Sequence, residues 1–218
     1  MGNLTGQKLW QATLETLQMT LASSIIAFVI ALPLGILLVV TKKNGLLQNR
    51  PINIFVGIII NILRSIPFAI LLIYAMPLTR AIIGRAVGTW AMVVPLTLSA
   101  APFMARLVES SLASVEDGLI EAAKSMGATR LQIISKVYIH ESLPHLILSA
   151  TIGIVAILGY TAMANIIGAG GLGDLAFTEG YLRYQQTVIL LCLVILVLLT
   201  QAIQWLGVWL HKILNKKK

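Results

Sequence analysis

Residues 16–41 read TLQMTLASSIIAFVIALPLGILLVVT and contain no Asp, Glu, Lys or Arg. An α-helix needs about 20 consecutive apolar residues to cross the hydrocarbon core of a bilayer, so this stretch is long enough for a membrane span. Four more stretches have this character, and only the first of them carries a charge, Arg64. They are residues 51–79, 86–105, 142–166 and 184–211. We therefore predict an all-α integral membrane protein with five transmembrane helices.

The composition excludes the other broad classes. Apolar residues make up 58% of the chain without glycine, and charged residues only 11%. A soluble domain has about 45–50% apolar residues with glycine counted and about 25% charged residues, so it could not cover this much apolar surface. The single cysteine, Cys192, excludes a disulfide scaffold.

The positions of the basic residues predict the orientation of the spans. If the ends of spans 1, 3 and 5 face the cytoplasm, eleven of the sixteen Lys and Arg residues lie inside, four lie outside, and Arg64 lies within span 2. The positive-inside rule then places the N-terminus outside and the C-terminus in the cytoplasm. The net charge of +8 is thus a topology signal and predicts no nucleic-acid partner. The basic tail, residues 216–218, is interpreted as an anchor against anionic lipid.

The segment 106–141 is the predicted cytoplasmic loop, and its pattern is helical. Asp117 is a candidate cap for a short helix, and Gly127 can end it in a left-handed turn. Apolar residues recur at the spacing i, i+3, i+4 and i+7. They are Leu119, Ala122, Ala123 and Met126. Such a helix either lies on the bilayer surface or docks into a groove of a cytoplasmic partner.

Two features follow this helix. Thr129 and Gln132 have the spacing of a capping box, which predicts the start of a second short helix. Ser142 and Pro144 fit the opening turn of the fourth span, where a proline costs nothing.

The loop resembles a known motif. The residues EAAKSMG at 121–127, followed after nine residues by Val137-Tyr138-Ile139, resemble the EAA motif of bacterial ATP-binding-cassette importer permeases. His140 stands where that family usually has proline, which shifts the expected helix break. The resemblance implies a type I importer permease whose coupling helix sits in a cleft of an ATPase subunit. The implied ATPase-coupling residues are Asp117, Glu121, Ala122, Ala123, Met126 and Gly127.

Three other stretches are similar to the methionine importer permease subfamily. They are NILRSIPF at 61–68, VPLTLSAAPFMAR at 94–106 and GYTAMANIIGAGGLGDLA at 159–176. The similarity covers essentially the whole chain, so residues 1–218 are expected to form one permease domain. It implies a homodimer in the bacterial cytoplasmic membrane, served by two cytoplasmic ATPases and an external methionine-binding protein or lipoprotein. This chain would then hold no cofactor, because ATP and Mg would bind to the ATPase subunits.

Two motifs that suggest chemistry have simpler interpretations. GAGGLG at 168–173 matches a dinucleotide fingerprint, but it follows a membrane span and no acid follows in 184–211. A tight non-helical turn near the outer mouth is the better interpretation.

His140 and His145 are five residues apart with a proline between them, whereas two zinc ligands on one helix face need a spacing of four. The sequence shows no set of nucleophile, base and orienting residue, so we expect no enzyme.

Four residues are candidates for the translocation pathway or its gate. Arg64 lies about 20 Å along a helix from Pro51, where a charge is costly unless it is paired or hydrated. It either meets a substrate carboxylate or a structural partner inside a dimer, or snorkels toward the surface. Tyr160, Met163 and Asn165, at the outer end of span 4, form either a gate or ordinary packing.

The predicted function is translocation of methionine, in D or L form, and its close derivatives by alternating access. Alternatives are a permease for another small amino acid or organic solute, an ion-coupled secondary transporter or channel subunit, and a structural scaffold. None of the eight acids lies deep in a predicted span, which argues against a proton relay.

Overall fold

The structure, a computed structural model, describes residues 2–215, which form helices joined by short turns. The α-helices are α1 (Gly2–Thr41), α2 (Arg50–Ser65), α3 (Phe68–Tyr74), α4 (Met76–Ile83), α5 (Thr89–Ala113), α6 (Asp117–Ser125), α7 (Arg130–Gln132), α8 (His140–Thr161), α9 (Gly171–Leu175) and α10 (Gln186–Asn215). Two π-helical segments, Ile133–Ile139 and Ala176–Tyr181, and a 3₁₀ turn, Ala164–Ile167, complete the chain order.

Four helices are long and apolar enough to cross a membrane, and they correspond to predicted spans 1, 3, 4 and 5. Their bounds are Gly6–Thr41, Thr89–Ala113, Arg130–Thr161 and Gln186–Asn215. A fifth crossing exists only if α2 and α3 are counted together, because they are bent by 98° relative to each other. The four straight spans are confirmed as helices, and the fifth is broken.

The predicted span over 51–79 is broken at Pro67, three residues after Arg64. The residue before a proline is driven out of the helical region, and Ile66 has the extended angles φ −78° and ψ 121°. The chain restarts as α3 after Pro67. Arg64 therefore lies in the last turn of α2, where the helix dipole favours a cation, and not in the middle of a straight span.

The ends of the spans differ from their uncharged stretches. Helix α1 includes Lys8 and Glu15, and α5 continues to Ala113, so residues 106–113 are helical and do not belong to the loop. A charged residue does not by itself end a helix, because its backbone can still form the helical hydrogen bonds.

The fourth span does not open at Pro144. The helical path already begins at Arg130 and runs without a break to Thr161, with Pro144 inside α8. The π-helical segment Ile133–Ile139 precedes it. A proline removes one backbone donor and crowds the carbonyl four residues back, and a widened π turn is one way in which a helix adjusts locally.

Helices α1 and α5 form the centre of the fold. A β-carbon built on Gly35 would lie 2.5 Å from Val108 Cγ1 and 2.9 Å from the Ala105 carbonyl oxygen. Because Gly35 has no side chain, Val108 and the backbone of α5 pack directly on α1 there. Ala105 also belongs to the core that contains fully buried Met19, Met92 and Leu96. Helices α8 and α10 then pack outside this pair, with Gly207 of α10 against Thr151 of α8.

The orientation of the chain and its treatment as one domain over 1–218 stay predictions. The basic tail at 216–218 lies outside the described residues.

Gly35→Ala is expected to destabilise the protein by about 1–3 kcal/mol, because a methyl group there forces α1 away from α5. The measurement is the thermal unfolding midpoint of the purified permease in detergent. Gly159→Ala in α8 is the matched control, since a β-carbon there meets nothing within 4 Å. Equal midpoints for the two variants would contradict the close α1–α5 contact.

Candidate functional site: the coupling helix and the pathway

Helix α6 begins after Glu116, whose angles of φ −63° and ψ 131° are extended. The prediction that Asp117 caps this helix was wrong, because Asp117 is its first helical residue. A carboxylate in the first turn still stabilises the helix through the positive end of the helix dipole.

The end of α6 confirms the predicted left-handed turn at Gly127. This glycine has φ +78°, a region that side chains with a β-carbon rarely adopt. The Gly127 N–H donates to the Lys124 carbonyl at 3.0 Å, and the Ala128 N–H donates to the Ala123 carbonyl at 3.0 Å. These two bonds are the pair that defines a Schellman motif, which satisfies carbonyls that the helix leaves free.

The predicted apolar face of α6 is only partly the face that the protein buries. Ala123, which the sequence placed on the docking face, is buried inside the protein, and beside it lies Ile120, which the pattern missed. They pack with Ile133 and Tyr138. The other three predicted residues point away from the protein. Leu119 and Met126 are 44% and 81% exposed, and Ala122 is exposed with them. We call Leu119, Ala122 and Met126 the coupling face.

Polar residues border α6 on one side. A pocket of about 310 Å³ separates α6 from the turn after α1. Lys42 and Lys43 line it from the turn, and Asp117, Glu121 and Lys124 line it from α6. The two segments therefore form one charged surface, which lies on the side of α6 opposite to the coupling face at about 100° per residue.

The next connection follows the predicted capping box. The Gln132 N–H donates to Thr129 Oγ1 at 3.4 Å, and the Thr129 N–H donates to Gln132 Oε1 at 2.8 Å. This confirms that a helix begins at Arg130, and it fixes the turn between α6 and the helical path into α8.

The candidate pathway residues lie in two places. The Tyr160 ring stacks on Phe68 at the start of α3, with ring centroids 4.8 Å apart. Met163 is 42% exposed, and half-buried Asn165 lines a groove beside α10. Arg64 is exposed, and its Cζ lies 6.0 Å from the centroid of the Phe103 ring. No hydrogen bond or ring contact joins Arg64 to the other three in the described part of the chain.

An ionic cluster that sequence analysis missed joins α2 to α5. Arg106, assigned to the loop by sequence, lies inside α5, and its Nη1 donates to Glu109 Oε2 at 2.7 Å. Its Nη2 donates to the Gly57 carbonyl and to Asn61 Oδ1, each at 3.0 Å. The ion pair could have been predicted from the i, i+3 spacing of Arg106 and Glu109, but nothing in the sequence indicates that Arg106 also binds α2.

The glycine-rich stretch forms the predicted non-helical turn over residues 168–170 only, because Gly171 already begins α9. Gly168, Gly170 and Gly171 have φ values of +56°, +79° and +84°. The N–H of Gly171 donates to Glu15 Oε2 at 2.7 Å, and the N–H of Leu172 donates to Thr16 Oγ1 at 2.8 Å. The role of α1 in holding this turn was not predicted.

A second tie joins the start of α1 to the segment before α10. Lys8 Nζ donates to Glu179 Oε1 at 2.6 Å, and Arg183 lies 2.9 Å from the other carboxylate oxygen. The hydrogen bond from Lys8 holds the pKa of Glu179 below its usual value, and the charge of Arg183 acts in the same direction.

Comparison with known proteins identifies the class. Residues 31–218 match the family described as binding-protein-dependent transport system inner membrane component. The chain belongs to this family of membrane components of transport systems.

Individual relatives are more specific. The chain is 47% identical over 204 residues to the probable D-methionine transport system permease protein MetI of Vibrio cholerae, across 94% of this chain and 91% of that protein. It is 48% identical over 151 residues to the D-methionine transport system permease protein MetI of Escherichia coli K12, across 69% of this chain and 70% of that protein. A chain from the inward facing conformations of the MetNI methionine ABC transporter superposes on this chain with a TM-score of 0.96 at 44% sequence identity. The superposition covers 98% of this chain and 99% of that chain.

Gly127→Ala is expected to loosen the end of α6, because alanine pays about 1–2 kcal/mol in the left-handed region. The change should appear as faster amide hydrogen exchange over residues 117–128. Gly118→Ala is the matched control, since neither glycine has a neighbour within 4 Å of its β-carbon and only Gly127 has positive φ. Unchanged exchange in Gly127→Ala would contradict the Schellman end.

The ion pairs of Glu179 should stabilise the protein only above acid pH. The pKa of Glu179 is lower in the folded state than in the unfolded chain. The ion pairs therefore contribute their full stability above the ordinary carboxylate pKa, and they lose it as the pH falls through the lowered pKa. Glu179→Gln should therefore melt below wild type at pH 7, and the difference should close below about pH 4. Exposed Glu116→Gln is the control, and a difference that persists at acid pH would exclude the mechanism.

Proposed function

We propose that this chain is the permease subunit of an ABC importer that carries methionine, in D or L form, and its close derivatives across the cytoplasmic membrane. It works as a homodimer with two cytoplasmic ATPase subunits, which bind ATP and Mg, and with an external methionine-binding protein or lipoprotein. The chain itself is not an enzyme. The observation that carries the proposal is the exposed coupling face on a helix that Ile120 and Ala123 anchor in the protein. The chain is similar over 94% of its length to a methionine transport permease.

The coupling face suits a protein groove better than a lipid surface. An interfacial helix buries a broad apolar side in the bilayer. Helix α6 has nine residues, and the coupling face, which extends to Met126 just after its end, has only three apolar ones. Helix-in-groove recognition needs only a few apolar anchors at i, i+3 and i+7, which is the spacing of Leu119, Ala122 and Met126.

Transport follows from alternating access. Closure of the ATPases moves the two coupling helices, and rigid-body rotation of the permeases switches the central cavity between the two sides of the membrane. Tyr160, Met163 and Asn165 contribute to the outer gate, and Arg64 faces the path of the substrate carboxylate. The broken path at Pro67 places Arg64 at a helix end, which is a common position for residues that line a transport route.

The ion-coupled alternative has less support. Glu109 is neutralised by Arg106, and Glu179 is paired with Lys8 and Arg183. Glu15 accepts a backbone N–H at the glycine-rich turn. These acids hold the structure together, so they are poorly placed to carry protons.

Met126→Glu is expected to reduce co-purification of the ATPase subunits at least tenfold, because it buries a charge in the proposed cleft. Leu131→Glu is the matched control, since Leu131 is 79% exposed in the same cytoplasmic segment but is not part of the coupling face. Equal loss in both variants would contradict docking through this face.

Reconstitution of the complete importer in liposomes tests the function itself. ATP hydrolysis should rise with methionine-loaded binding protein, and uptake that is unchanged when the ATPase is omitted would exclude the proposal.

Arg64→Ala should lower uptake while expression stays normal, and retained uptake would exclude a substrate role for Arg64.

A further inference from the structure

The pocket between α6 and the turn after α1, which we call the α6 pocket, carries charges of both signs. Three lysines and two carboxylates line it, and they are Lys42, Lys43, Lys124, Asp117 and Glu121. None of these five side chains forms an ion pair in the described part of the chain. The pocket therefore presents ammonium and carboxylate groups that a ligand of mixed charge can pair with.

A buried polar group also reaches this pocket. Tyr138 is only 4% exposed, and it packs with Ile120 and Ala123 in the core. It nevertheless lines the α6 pocket, and its hydroxyl makes no hydrogen bond among residues 2–215. Because a buried tyrosine hydroxyl usually has a hydrogen-bond partner, this group points to a ligand in the pocket.

The wall that carries two of the lysines is an ordered turn. The Gly45 N–H donates to the Lys42 carbonyl at 2.9 Å, and the Leu47 N–H donates to the Val40 carbonyl at 2.8 Å. A β-carbon built on Gly45 would lie 2.5 Å from the Val40 carbonyl oxygen, so the turn has no room for a side chain there. Lys42 and Lys43 therefore project from a fixed backbone.

The α6 pocket lies where the first span ends. Thr41 is the last residue of that span and of the uncharged stretch 16–41, and Lys42 follows it directly. Phospholipid headgroups lie at this depth on both sides of a bilayer, so the argument does not depend on the orientation of the chain. A volume of about 310 Å³ suits a headgroup and is too small for a whole lipid.

We propose that the α6 pocket binds the headgroup of a phospholipid that carries both a phosphate and a primary ammonium, as in phosphatidylethanolamine. The three lysines and the Tyr138 hydroxyl donate to the phosphate oxygens, and Asp117 and Glu121 accept from the ammonium. A purely anionic headgroup would leave both carboxylates unpaired, and a choline headgroup has no N–H to donate. Basic pockets at the membrane edge are known headgroup sites.

Such a lipid would join two elements of the fold. It would contact the turn after α1 and also α6, on the side of α6 opposite to the coupling face. The coupling face stays free, so the lipid would steady the coupling helix without competing for its partner. This inference goes beyond the proposed function and holds whatever substrate the importer carries.

Lipid binding to the purified, delipidated importer complex in detergent tests the site. Native mass spectrometry gives the dissociation constant of the tightest phosphatidylethanolamine site on each permease copy. Lys43→Ala should raise this constant about tenfold, because it removes a hydrogen bond between charged groups. Lys136→Ala is the matched control, since Lys136 is equally exposed but does not line the α6 pocket. Equal constants for the two variants would overturn the site.

The buried hydroxyl has its own test. Tyr138→Phe keeps the ring in the core and removes only the hydroxyl, so it should weaken phosphatidylethanolamine binding about threefold to tenfold. Tyr184→Phe is the control, because Tyr184 is 92% exposed and lies away from the pocket lining. An unchanged dissociation constant in Tyr138→Phe would exclude the hydroxyl from the site.

Other headgroups test the mixed charge. Phosphatidylglycerol and phosphatidylcholine with the same acyl chains should bind about tenfold more weakly than phosphatidylethanolamine. Glu121→Gln should remove most of this preference, whereas Glu116→Gln, which is exposed but outside the pocket lining, should keep it. Equal affinity of the wild type for all three lipids would overturn recognition of the ammonium.

Two further outcomes would assign the pocket to another occupant. Displacement of the lipid by an equal concentration of free phosphoethanolamine would show that the acyl chains add nothing, and it would overturn a lipid as the ligand. Binding of phosphatidylethanolamine only after the ATPase subunits are removed would show that the ATPase fills the pocket, which also overturns the proposal. Retained lipid in the intact complex, resistant to free phosphoethanolamine, supports it.

Discussion

The close approach of α1 and α5 at Gly35 is the contact on which the other elements depend. Because Gly35 lets Val108 and the α5 backbone pack directly on α1, the two helices hold each other and position a different region at each end. The N-terminal half of α1 carries Glu15 and Thr16, which hold the turn after α8. The other end of α5 carries Arg106, which holds α2. Both regions therefore depend on α1 and α5 for the polar contacts that hold them.

Lipid imposes the second constraint, since a backbone group without a partner has no water to bond in a bilayer. The two interruptions of helical structure obey it differently. At Pro67 the chain changes direction by 98°, and the Ile66 N–H still reaches the Leu63 carbonyl. At the glycine-rich turn the backbone donors are satisfied by Glu15 and Thr16 from another helix. A helix break in this fold is therefore tolerated where an internal acceptor is available.

The sequence predicts the number and position of the spans because charges are excluded from lipid, and it fails where the outcome depends on neighbours. Pro67 ends a helix, whereas Pro33, Pro95, Pro102 and Pro144 lie inside helices. Nothing in the local sequence separates the two cases. The coupling helix shows the same limit: its bounds and its glycine end were predictable, but only the fold decides that Ile120 is buried and Leu119 is exposed.

The route from the coupling face to the opposite end of the molecule follows from these contacts. Ile120 and Ala123 anchor α6 on Ile133 and Tyr138, which belong to the helical path that continues into α8. Helix α8 has 22 residues and is about 33 Å long, and Tyr160 lies in its last turn, stacked on Phe68. A displacement of α6 reaches that stack through one helix, because the π-helical segment joins α7 to α8 without a break. The bent α2–α3 pair meets α8 at Phe68, so in the proposed mechanism the gate residue Tyr160 and the break at Pro67 respond to the same motion.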